Sequence, residues 1–136
     1  MTFKTVAAIT SVLLFLLGVG YLFAGGTVVG RWDLPATDGV LLVARRIGAI
    51  YIGLSVLFFM AKGVPASAAR TAMTAGAITV LSLLVILGVY EFVAGRVGVG
   101  IFVSAGIESL LASGFTVVLI ADRRSRASLA TPSDEM

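Results

Sequence analysis

Four uninterrupted apolar runs, each about twenty residues long, constrain this chain more than any other feature. They fall at roughly 5–24, 40–60, 72–93 and 97–121. A bilayer core about 30 Å thick takes about 20 mostly apolar helical residues to cross. Barrel strands would alternate apolar and polar residues over about ten positions, whereas these runs are continuous and about twice as long. Lipid offers peptide groups no hydrogen-bond partners, so such a run must satisfy its backbone internally, as a helix does. The chain therefore reads as all-α: an integral membrane bundle of four transmembrane helices, residues 1–121, with a polar tail over 122–136.

Composition agrees. Of 136 residues, 59% are apolar and 12% charged, against about 45–50% and about 25% in soluble domains. A soluble domain this small has a large surface for its volume and would need more charge to cover it. The absence of cysteine excludes a disulfide framework and thiolate metal sites. The absence of histidine removes the commonest neutral-pH base and metal ligand. No metal site and no catalytic constellation is expected, and the residues name no cofactor. The net charge of +3 is spread along the edges of the runs, so the bilayer, not nucleic acid, is the expected partner.

The connections are short. The first run is longer than the apolar stretch of a secretion leader, and no A-x-A-type site follows it, so it reads as a retained helix. Trp32, beside Arg31 in the first connection, suits the membrane interface. Ser67 is placed to cap the third helix. The turn at Gly95 and Arg96 is so short that the third and fourth helices must be antiparallel neighbours. From Asp122 the tail is polar and is expected to be disordered. Four spans put both termini on one side, together with Lys4, Lys62, Arg70, Arg123, Arg124 and Arg126. The other side holds Arg31 and Arg96, with Arg45 and Arg46 at the mouth of the second helix. The positive-inside rule then places both termini in the cytoplasm, in a multi-pass plasma (inner) membrane protein. Small residues spaced four apart (Gly20 and Ala24; Ala44 and Gly48; Ala49 and Gly53; Ala72 and Gly76; Ala105, Ser109 and Ser113) allow close helix packing. They are compatible with a homo-oligomer without requiring one.

Apart from Glu91 at the end of the third run, three charges remain inside the runs: Glu108, Arg45 and Arg46. Glu108 lies about eleven positions from either end of its run, near the midplane, where a carboxylate costs at least ~2.5 kcal/mol. It is expected to be protonated, paired or facing water. Ser104, Ala105 and Ala112, three or four residues away, give that face room to abut other helices. Arg45 and Arg46 stand ~100° apart on their helix, so only one can face the bundle. Both can also snorkel to the outer interface. Arg46 and Glu108 differ in depth by ~7–8 Å, a gap two long side chains can bridge. Tyr51 lies at the depth of Glu108 and needs a partner for its hydroxyl. Glu108, Tyr51 and Arg45 or Arg46 are thus candidates to line an outward-opening polar pocket. The plainer reading is a glutamate that locks helices together by hydrogen bonds.

The segment LLGVGYLFAGG, then a short loop, then ARRIGAIYIGLSVLFFMAK ending at Lys62, carries a family resemblance. A glycine-rich first helix followed by R-x-x-G-x-x-x-x-G, carried by Arg45 or Arg46, Gly48 and Gly53, resembles the DoxX-like group of small four-helix membrane proteins. The resemblance implies a four-helix membrane fold. Some members of that group are associated with quinone-linked oxidation or redox stress, and no cofactor ligand set is present here to carry such an activity over. Three functions compete. The first is a non-enzymatic membrane protein with a lipid- or quinone-like ligand pocket around Glu108. The second is a proton-coupled small-molecule transporter using Glu108. The third is a membrane enzyme or a membrane subunit of an oxidoreductase system, which without His or Cys would have to rely on Glu108, Tyr51 and an arginine.

Overall fold

The computed structural model describes residues 2–130. Three of its four long helices begin where a hydroxyl can hold a free backbone N–H. Helix α1 (Phe3–Phe23) is capped by Thr2, which accepts from the Thr5 amide at 3.3 Å. After a short helix α2 (Gly25–Gly30), α3 (Asp38–Ala61) is capped by Thr37. Helix α4 (Ala68–Val93) is capped by Ser67, which accepts from the Arg70 amide at 3.2 Å, as its sequence position predicts. Helix α5 runs Ile101–Ala130. Four of these helices are long and apolar enough to cross a membrane. Large apolar side chains such as Leu16, Phe59, Ile86 and Leu110 face outward, a distribution that water disfavours and lipid tails accept. The molecule is a multi-pass membrane helix bundle in contact with the bilayer.

Two expectations need correction. The fourth span starts at Ile101, not 97, because Gly95, Gly98 and Gly100 shape a turn before it. It also runs beyond 121: residues 122–130, expected in a disordered tail, continue the helix. This stretch, DRRSRASLA, is built mainly of residues that helices tolerate well. Its first residue, Asp122, is anchored by Arg70, whose Nε donates to Oδ2 at 2.9 Å while Nη2 donates to Oδ1. The rest of the expected tail, 131–136, lies outside the described residues.

The helices associate as two pairs, α1 with α3 and α4 with α5, and α1 meets α5 where the pairs join. The first pair is close because of Gly18 and Gly48. A Cβ built on Gly48 would stand 2.8 Å from the Gly18 carbonyl oxygen, and one on Gly18 would stand 2.9 Å from that of Gly48. Ser11 reinforces the crossing by donating to the Ser55 carbonyl at 3.0 Å. Of the paired small residues, Ala44 and Gly48 are packed this way, whereas a Cβ on Gly53 or Gly76 would meet nothing within 4 Å.

Toward the termini one core draws on all four spans, with Phe3, Val6, Phe58, Phe115 and Val118 buried and Met73, Ile78 and Leu81 against them. The Phe58 and Phe115 rings stand 5.5 Å apart. At the opposite end the core consists of Tyr21, Val29 and Ala44, all from the first pair and its connection. The two pairs therefore share a packed interior at one end and part at the other.

Candidate ligand-binding site

Where the pairs part, a cavity of about 730 Å³ opens between them. Its walls follow from the helix registers. On α3, Ala44 and Gly48 are buried toward α1, which turns Ile47 and Tyr51 into the cavity. On α1, Gly18 occupies the crossing and Tyr21, one turn on, lines the cavity. The Tyr21 and Tyr51 rings meet edge to face with centroids 5.7 Å apart, and Trp32 leans on Tyr21 at 6.2 Å. The opposite wall is Leu84, Leu87 and Gly88 of α4 with Ile101, Ser104, Ala105 and Glu108 of α5. This lining is mostly apolar with a few convergent polar groups, the usual make-up of a small-molecule site.

The mouth is shaped by the end of α4. Gly95 takes the left-handed conformation at φ +69°, and the Gly95 and Arg96 amides donate back to the Phe92 and Glu91 carbonyls at 2.9 and 3.0 Å. This glycine-terminated cap folds Arg96 over the last helical turn. Its guanidinium therefore meets Glu91, with Nη2 donating to Oε1 at 3.0 Å, and both residues line the cavity. The hydrogen bonding from Glu91 holds the Arg96 guanidinium above its ordinary pKa, so it stays cationic. The following turn closes against the first pair: the Gly98 amide donates to the Trp32 carbonyl at 2.8 Å. Asp33, at φ +58°, adopts a conformation that Asp tolerates better than most side chains.

Two of the four site residues expected from sequence, Glu108 and Tyr51, line this cavity together. Among the described residues, no protein group hydrogen-bonds the Glu108 carboxyl or the Tyr51 hydroxyl. Glu108 is shallower than its run suggests. It stands seven residues into α5, about 10 Å from the helix start. Arg45 and Arg46 do not join them; both are exposed and neither lines the cavity. With 44 and 48 facing α1 and 47 and 51 facing the cavity, positions 45 and 46 are left on the outer sides of α3. The cation that lines the cavity is Arg96. Tyr21 and Trp32 are members that depth alone does not identify, although Gly-x-x-Tyr recurs at 18–21 and 48–51 and signals a shared crossing. Among the described residues, no three His, Cys, Asp or Glu side chains gather as metal ligands would.

Comparisons with protein-family models, with curated proteins and with solved structures found no match.

Proposed function

We propose that this chain is a small membrane protein of DoxX-like type, non-enzymatic, that binds a lipid- or quinone-like molecule between its two helix pairs. The polar head of that molecule would meet Glu108 and Tyr51, and its apolar body would lie along Leu84, Leu87 and Ile101. The observation that carries the reading is a mostly apolar cavity of about 730 Å³ lined by a carboxyl, Glu108, that no protein group hydrogen-bonds among the described residues. That volume falls within the ~300–1,000 Å³ typical of small-molecule sites. A Glu108 whose only role was to lock helices would be bonded to a neighbouring helix, and among the described residues it has no such bond. The excess of Lys and Arg at the terminal end supports an orientation with both termini cytoplasmic, in keeping with a plasma-membrane location.

The test is mass spectrometry of small molecules that co-purify with the protein, comparing the native chain with Glu108→Gln and Tyr51→Phe. A quinone or lipid enriched over the detergent and bulk-lipid background, and reduced by at least one variant, is expected. An equal complement in all three proteins would refute the assignment.

A further inference from the structure

A second cavity, of about 590 Å³, lies at the opposite end of the bundle, where α1 and α4 begin and α3 and α5 end. Lys4, Lys62 and Arg70 line it, with Asp122 as the one acid among the described residues. Arg70 is committed to Asp122 and is further fixed by its guanidinium over the Phe3 ring, at 5.0 Å. Lys4 and Lys62 have no carboxylate partner among the described residues; Lys62 sits over the Phe59 ring, 3.4 Å from its centroid. Among the described residues, three cations against one anion leave a net positive charge of two on the lining of a single concavity. Phe3 and Val118 give it an apolar wall.

We propose that this cavity seats the phosphate of an anionic phospholipid from the leaflet on the side of the termini. Helix ends sit at the depth of lipid phosphates, and basic pockets between membrane helices recognise acidic headgroups there. Free phosphate shares the chemistry, but it has no use for the apolar wall, which suits the glycerol and first methylenes of a lipid.

The test uses the full chain in detergent, titrated separately with short-chain phosphatidylglycerol, with phosphatidylcholine and with inorganic phosphate. Bound lipid is counted by native mass spectrometry, and binding is also followed through thermal unfolding. Phosphatidylglycerol is expected to bind in preference to phosphatidylcholine. Each of Lys4→Gln and Lys62→Gln should weaken that binding about five-fold, and the double variant about 20- to 30-fold, at one membrane-surface cation each. Arg123→Gln with Arg124→Gln removes as much charge from the same end outside the cavity and should cost less than about three-fold. Equal losses in the two double variants, or no preference for phosphatidylglycerol, would overturn the proposal. So would inorganic phosphate acting as strongly as the lipid.

Discussion

Two glycines on α3 offer a controlled test of how the first helix pair is built. In Gly48→Ala the new Cβ would lie 2.8 Å from the Gly18 carbonyl oxygen and 3.0 Å from the Leu22 amide nitrogen. Both are backbone atoms, so no side chain can rotate away. The first distance is about 0.6 Å short of ordinary contact, which begins at 3.4 Å, so α1 and α3 must separate by about that much. Forcing a methyl into a packed contact costs about 1–3 kcal/mol. Gly53→Ala on the same helix meets nothing within 4 Å, and gains up to about 1 kcal/mol of helix propensity. Both variants share the propensity gain, so their difference isolates the crossing. Denaturant unfolding, followed by helical circular dichroism, should place Gly48→Ala about 1–3 kcal/mol below Gly53→Ala. The separation should also part the Tyr21 and Tyr51 rings one turn away, now 5.7 Å apart, and weaken whatever the cavity binds. Equal stability of the two variants, or a more stable Gly48→Ala, would show that the two backbones do not set the spacing of the pair.

Three further outcomes follow from other contacts. Gly100→Ala would drive a Cβ into the Arg31 backbone carbonyl; it should break the junction between the two pairs at the cavity mouth and shift Trp32 emission to the red, and unchanged emission would argue against that junction. Because Trp32 is the chain's one tryptophan and lines the cavity, a quinone analogue that binds there should quench its fluorescence saturably, whereas unsaturable quenching would indicate mere partition into the micelle. A double-mutant cycle on Arg70 and Asp122, whose side chains are each only 15% exposed, should return a coupling of about 1–2 kcal/mol. The same cycle on the more exposed Glu91–Arg96 pair should return less, since water screens it; the reverse order would refute the burial argument.

Features that depend on one run of residues were legible in the sequence. Hydropathy located all four spans, Ser67 announced the start of α4, and the short turn at Gly95 required α4 and α5 to pair. Glu108 and Tyr51, conspicuous as polar residues inside apolar runs, line one cavity, although Glu108 is shallower than its run suggests. Features that depend on how helices rotate against one another were not legible. Arg45 and Arg46 are at suitable depth for the cavity but on the wrong faces, because Ala44 and Gly48 are small enough to turn that side of α3 toward α1. The start of α5 is not legible either, because Val97–Gly100 is apolar enough to read as helix. There the chain follows a contact distant in sequence, the bond from the Gly98 amide to the Trp32 carbonyl. Arg70 and Asp122, 52 residues apart, carry no mutual sequence signal, and their pairing emerges only once α4 and α5 lie antiparallel.

The division into two pairs also bears on how the molecule is made. Each pair is contiguous in the chain: α1 to α3 is complete by Ala61, and α4 to α5 begins at Ala68. Each can enter the bilayer as one hairpin, and the first can settle its glycine crossing before the second has been synthesised. Neither hairpin alone encloses the large cavity, whose walls come from both. The cavity is a seam between two successive units, and both must be in place to complete it. A molecule lodged in that seam touches both halves and favours their docked state by mass action. Occupancy and final assembly are then linked, and chains cut within 62–67 and expressed as two pieces should reunite best when the ligand of the seam is present.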